Sequence, residues 1–194
     1  DFHWVTDNTK EQTFNKAIAF LRFLAIKYPQ CHIHINLGNH DHDSEFCQLL
    51  MQLEKELPNF SWHPYYLRVG KVVFLHGDAA IRKMNHSQLI KYRNQWEHKS
   101  THKNILVNQI YDVAVNMRTH VALSHIYFRN RRTVKNLLWY LDDLELGLDS
   151  GVSEVYFGHT HIPLRNFRYK GMTFHNTGTA YKGMKLKILR TLVL

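Results

Sequence analysis

Gly38-Asn39-His40-Asp41, His76-Gly77-Asp78 and Gly158-His159-Thr160-His161 place metal-binding side chains at three points of a 194-residue chain. The amide of Asn39 and the imidazoles of His76, His159 and His161 are ligands suited to borderline divalent ions such as Zn, Mn and Fe, with oxygen donors supplying the harder share. Thiolates have no part in this pattern. Taken singly, each motif has a plain structural alternative. Gly-His-Thr-His can be a polar turn, Gly-Asn-His-Asp can be a helix cap with Asp41 or Asp43 at the helix start, and one His among fifteen is more often structural than a ligand. Their joint occurrence makes metal binding the stronger reading.

Each motif follows an apolar run, as a loop follows a buried strand. Cys31 to Leu37 leads into Gly38, Lys71 to Leu75 into His76, and Glu154 to Phe157 into Gly158. Ligand-bearing loops at strand ends take their geometry from the rigid sheet behind them, and the glycines allow close backbone approach or positive φ. His32 and His34 alternate with apolar residues and read as strand-face residues. Glu11 to Lys27 and Asp43 to Leu57 carry apolar residues at helical spacing and stop at Tyr28-Pro29 and at Pro58. Tyr65 to Val69 and Lys71 to Leu75 read as a hairpin turned at Gly70. Leu164 to Tyr169, Met172 to His175 and Met184 to Leu194 read as closing strands. Between Asp78 and Gly151 the pattern turns helical, over Ile81 to Lys99, Asn104 to Arg118 and Thr133 to Leu148. The expectation is an α/β layered domain with helices covering sheets, one domain over 1–194, carrying a helical insert at about 79–150.

In order and composition the three motifs resemble the calcineurin-like metallophosphoesterases, whose pattern runs Asp-x-His, Gly-Asp-x-x-Asp, Gly-Asn-His-Asp or Gly-Asn-His-Glu, a lone His, and Gly-His-x-His. The resemblance covers nearly the whole chain. It implies a two-sheet sandwich flanked by helices, and hydrolysis of a phosphate ester or pyrophosphate at a dinuclear centre of Mn, Zn or Fe, with Mg as a further option. Carried over by position, Asn39, His76 and His159 bind one metal and His161 the other. His40 protonates the leaving oxygen, a task for a group titrating near neutrality, and Asp41 orients it. A water acidified by the two ions would attack phosphorus in line.

The start of the chain departs from that pattern. Asp1-Phe2-His3 looks like Asp-x-His, but no Gly-Asp occurs between His3 and Gly38. The spacing fits better with Asp1 as the last Asp of Gly-Asp-x-x-Asp, behind the metal ligands. A first strand carrying the remaining ligands is then expected upstream, and ligand count decides occupancy.

The helical insert is similar to the cap of the subgroup that includes UDP-2,3-diacylglucosamine hydrolase of lipid A synthesis, which also has His-Gly-Asp. Two features differ: that enzyme's usual Gly-Asn-Arg-Asp is Gly-Asn-His-Asp here, and the Cys that commonly follows its His-Gly-Asp is missing. Phe128-Arg129-Asn130-Arg131-Arg132 is the densest basic cluster. Arg129, Arg131 and Arg132 could grip the non-reacting part of an anionic substrate through bidentate hydrogen bonds, or be solvated charges at a helix start. Lys91, Arg93, Lys99 and Lys103 are expected to face solvent.

An excess of 25 basic over 16 acidic residues, +9 at neutral pH, attracts phosphorylated small molecules, lipid-linked nucleotides, acidic membrane surfaces or nucleic acid without choosing among them. A basic nucleic-acid-binding module is the non-enzymatic alternative, with Tyr92, Trp96, Tyr111, Trp139 and Tyr140 as stacking surfaces. A nuclease or phosphodiesterase is the alternative within the enzyme class. No run reaches transmembrane length. The two cysteines, Cys31 and Cys47, form no Cys-x-x-Cys pair, which points to a reducing compartment, the cytoplasm.

Overall fold

A computed structural model describes residues 9–97, 128–179 and 186–191. Asp1, Tyr111 and the segment from Asn104 to Arg118 lie outside them. The chain divides into two compact units, whose described parts are 9–65 with 91–97, and 66–90 with 128–179 and 186–191.

The first unit is a β-α-β module with a leading helix. Thr9 opens α1 (Lys10–Lys27) with a reciprocal cap: the Gln12 N–H donates to Thr9 Oγ1 at 3.2 Å and the Thr9 N–H to Gln12 Oε1 at 3.0 Å. β1 (Ile33–Asn36) follows, then α2 (Ser44–Glu56), then β2 (Phe60–His63). β1 and β2 are parallel, in register from Ile33 opposite Phe60 to Asn36 opposite His63. A parallel pair needs a crossover, and α2 provides it. Alternate residues of both strands, Ile33, Ile35, Phe60 and Trp62, join Phe14, Leu21, Leu37, Phe46, Leu50 and Leu53 in one apolar core. β2 is an element the apolar pattern does not announce, because Phe60-Ser61-Trp62-His63 is short and runs straight into Pro64.

The second unit holds a five-stranded mixed sheet in the order β3-β4-β5-β7-β6, built from β3 (Tyr66–Val69), β4 (Val72–Leu75), β5 (Glu154–Phe157), β6 (Leu164–Tyr169) and β7 (Met172–Asn176). β3 and β4 form the expected hairpin, with Gly70 at φ 57°. β4 pairs parallel with β5, and β5 parallel with β7. Val73, Val155 and Phe174 are fully buried at its centre. α/β layering with two sheets and covering helices is therefore as expected.

Three expectations need correction. The helix read from Ile81 begins later: Asp78–Ala80 is a single 3-10 turn and α3 spans His86–Glu97, opened by Asn85 and Gln88 bonding each other's backbone N–H. Residues 86–90 of α3 belong to the second unit and 91–97 to the first. The helix read from Thr133 is α4, Asn130–Asp143. It ends early because Glu145 takes φ 59° and the Leu146 N–H turns back to the Leu141 carbonyl at 2.8 Å. The last strand, expected from Met184, is reduced among the described residues to one bridge, Gly178 with Leu186.

Candidate metal and catalytic site

In the first unit the loop after β1 closes on itself. The Gly38 N–H donates to the Asp41 carboxylate and the Asp41 N–H to the Gly38 carbonyl, both at 3.3 Å. Asp43 caps α2 by accepting from the Glu45 N–H at 3.0 Å, and Lys10 Nζ lies 2.7 Å from its other oxygen. Asp43, not Asp41, is therefore the helix cap, which leaves Asp41 to hold the turn that presents Asn39 and His40. Asn39 is 2 % exposed, and neither its amide oxygen nor its nitrogen has a hydrogen-bond partner among the described residues. An amide buried in this way costs on the order of 1–3 kcal/mol unless something satisfies it. A cation at the amide oxygen would satisfy the oxygen half of it.

The His40 ring stands edge-on to Trp96, with centroids 4.4 Å apart and planes at 66°. Trp96 in turn meets Tyr92 edge-on at 6.2 Å. Arg93, expected to face solvent, is 1 % exposed. Its guanidinium bonds the Pro64 carbonyl and sits over the Tyr65 ring, 5.1 Å from the centroid, so backbone oxygen and aromatic face replace water. This anchors the part of α3 that carries Trp96. Sequence reasoning gave Trp96 no part in the site, since a Trp on a polar helix carries no signal of a distant His partner.

In the second unit, register brings two histidine loops together. Leu75 of β4 lies opposite Phe157 of β5, so the loops leave the sheet side by side, and the Gly158 N–H continues the ladder to the His76 carbonyl at 2.8 Å. Gly77, at φ 102°, lets them close: a Cβ there would stand 3.1 Å from the Gly158 oxygen and 3.2 Å from the Phe157 side chain. His76 Nε2 and His159 Nδ1 meet at 3.0 Å, with ring planes at 74°. Phe128 meets His159 edge-on at 6.4 Å. Two imidazole nitrogens bound to one zinc-like ion in neighbouring positions stand about 2.9–3.4 Å apart. The 3.0 Å contact is hydrogen-bonding distance between the two rings, and the same spacing suits two ligands of one ion.

The loop beyond is strained. His159 and His161 both have φ 61°, a region side chains seldom adopt outside sites that hold them there. The Thr160 N–H donates to the Gly158 carbonyl at 2.7 Å, closing a tight left-handed turn around His159. Asn176, 1 % exposed at the end of β7, holds it. Its Nδ2 donates to the Gly158 carbonyl at 2.8 Å and to Thr160 Oγ1 at 3.1 Å, while its Oδ1 accepts from the Gly178 N–H at 2.7 Å. Asn176 is a second residue that sequence reasoning missed, because it matters only once β7 is known to flank β5. His161 is exposed on the same loop.

Arg129, Arg131 and Arg132 are exposed, Arg129 at the N-cap of α4 and the other two in its first turn. Three cations at the positive end of a helix dipole make a strongly positive spot. Among the described residues no three His, Cys, Asp or Glu side chains gather around one point. Within the second unit the convergent donors are the His76 and His159 pair. The donors nonetheless fit divalent ions: a spaced imidazole pair and a buried, unsatisfied amide.

No curated protein and no solved structure matches the chain. The model of the calcineurin-like phosphoesterases, a family that in general cleaves phosphate esters with the help of metal ions, matches residues 5–163. That match spans more than half of the sequence and contains all three histidine motifs, and the chain belongs to the calcineurin-like phosphoesterase family.

Proposed function

We propose that this protein hydrolyses a phosphate ester or pyrophosphate bond with two divalent metal ions, and that Asn39, His76, His159 and His161 are metal ligands. The observation that carries the reading is the meeting of His76 Nε2 and His159 Nδ1 at 3.0 Å on a loop held in a strained conformation. A γ-turn at φ 61° is kept where a side chain must point one way. When bound, the ions supply Lewis acidity for the phosphoryl oxygens and lower the pKa of an attacking water. Mn, Zn or Fe suits the nitrogen-rich share of the donors, and Mg less so.

The chain's own residues do the rest. Asp41 shapes the turn that presents the His40 imidazole, whose protonated form gives a proton to the departing oxygen and is left neutral. Trp96 limits the orientations of that ring. Asn176 fixes the His159 turn. Arg129, Arg131 and Arg132 attract the anionic body of a phosphorylated small molecule or lipid-linked nucleotide. Residues 79–150, with their helices α3 and α4, are the proposed cap, similar in position to the insert of UDP-2,3-diacylglucosamine hydrolases, and a cap would select the substrate.

A basic nucleic-acid-binding module has weaker support. Tyr140 is fully buried, Trp96 is engaged by His40, and Lys83 covers the Trp139 ring at 4.5 Å. No described helix is long and apolar enough to cross a membrane. Cys31 and Cys47 are free thiols, in keeping with a proposed cytoplasmic location.

The test is hydrolysis of an aryl phosphodiester and an aryl phosphomonoester by metal-stripped protein resupplied with Mn, Zn or Mg. His40→Ala is expected to lower kcat by at least a hundredfold with metal content unchanged, whereas His159→Ala loses metal. Equal metal loss in both variants would refute this division of roles. Absence of metal binding in the folded protein would refute the whole reading.

A further inference from the structure

A second histidine pair stands in the first unit, on the face of the β1–β2 pair opposite its apolar core. Ile33, Ile35, Phe60 and Trp62 point into that core. The alternating positions put His32, His34, Ser61 and His63 on the other face. Register sets His34 opposite Ser61 and His63 opposite Asn36, two residues further along on the same face, so the two imidazoles are diagonal neighbours. Their nitrogens, His34 Nδ1 and His63 Nε2, meet at 3.0 Å, close enough for the two rings to share a hydrogen bond that an ion would replace, with ring centroids 5.2 Å apart. His32 stacks on His34 at 4.4 Å with planes at 25°, and its own Nε2 is bonded to Ser61 Oγ at 2.9 Å.

We infer that His34 and His63 form a two-nitrogen site for a borderline divalent transition-metal ion on this face, separate from the ligands of phosphoester hydrolysis. The separation of the two nitrogens equals that of His76 and His159 and suits two ligands of one ion. The site is fixed in place: slipping the register by one residue would turn the histidines into the core and the core residues out. Stacking by His32 limits rotation of the His34 ring. Burial holds His63 below the ordinary histidine range, opposed by the Glu54 carboxylate and aided by His32. His34 is exposed and His63 half-buried, so water can complete the coordination. The ligand set is open and nitrogen-only, favouring Cu²⁺ first, then Ni²⁺ and Zn²⁺, over Mg²⁺ or Ca²⁺. None of these residues belongs to the proposed catalytic set, so the two readings can fail separately.

The experiment is equilibrium dialysis of the whole chain against Zn²⁺ with elemental analysis, comparing wild type, His34→Gln with His63→Gln, and His159→Gln. The double variant is expected to bind this equivalent at least tenfold more weakly, while His159→Gln keeps it. Cu²⁺ added to His159→Gln should give an electron paramagnetic resonance spectrum with imidazole nitrogen couplings that vanishes when His34 and His63 are also replaced. A folded double variant that binds Zn²⁺ with unchanged stoichiometry and affinity overturns the inference. Should circular dichroism show the double variant unfolded, His63→Gln alone is read by the same criteria.

Discussion

Replacing Asn176 by Ala tests whether the strained histidine turn is held from β7. The side chain makes three hydrogen bonds: to the Gly158 carbonyl at 2.8 Å, to Thr160 Oγ1 at 3.1 Å and from the Gly178 N–H at 2.7 Å. At about 0.5–1.5 kcal/mol each, their loss removes about 1.5–4.5 kcal/mol of folding stability. The Gly158 carbonyl keeps the Thr160 N–H and the Gly158 N–H keeps the His76 carbonyl, so the strands stay paired and the cost falls on the loop. A conformation such as φ 61° at His159 costs on the order of 1–3 kcal/mol to maintain. Without Asn176 that strain can relax, carrying His159 Nδ1 away from His76 Nε2. Outer groups that orient metal ligands are typically worth about 10–100-fold in affinity. Urea unfolding of metal-free protein gives the first quantity, and zinc or manganese titration gives the second. Asn176→Asp sharpens the comparison, because it keeps an acceptor for the Gly178 N–H but sets a carboxylate against the Gly158 carbonyl. Metal affinity within twofold of wild type, in an alanine variant destabilised as expected, would refute the claim that Asn176 positions His159.

Gly77→Ala should destabilise more than Gly151→Ala, since a Cβ 3.1 Å from the Gly158 oxygen adds to the cost of φ 102°. Gly151→Ala, at φ 79° with nothing within 4 Å, should cost only about 1–2 kcal/mol; equal thermal shifts would contradict the role given to the close approach. Trp96→Leu should reduce kcat with metal content unchanged, as the edge-on contact with His40, worth about 0.5–1.5 kcal/mol, is lost; unaltered kcat would remove Trp96 from the site. Burial holds His175 below the ordinary histidine range, opposed by the Glu154 carboxylate and aided by Arg165. The unfolded chain then takes up this proton first, so the contribution is fully present above about pH 6.5 and is lost as pH falls towards the folded-state pKa. His34 and His63 are lowered in the same direction. The urea midpoint should therefore drop on acidification below about pH 6.5, and His175→Leu should flatten that drop without abolishing it; a variant that follows the wild-type pH profile would show that His175 titrates alike folded and unfolded.

The two histidine loops are legible in the sequence because each follows a short apolar run: β4 and β5 lie within the runs that lead into His76 and Gly158. The residues that hold those loops are not legible, and the reason is physical. Asn176, Gly77 and Trp96 are ordinary types whose importance comes from contacts across strands or helices far apart in the chain. No local period says that β7 rather than β6 flanks β5, yet that order alone puts Asn176 beside Gly158. Arg93 misleads for the same reason, since a cation on a polar helix reads as solvated until the Pro64 carbonyl and the Tyr65 ring are placed beneath it. β2 escapes because four residues of mixed polarity before a proline carry too little signal, although it completes the parallel pair. The same limit applies to His34 and His63. Alternation alone places His34 on a strand face, but only the parallel register with β2 brings His63 within 3.0 Å of it. Composition thus finds donors one strand at a time, while pairing of strands decides which donors can share an ion.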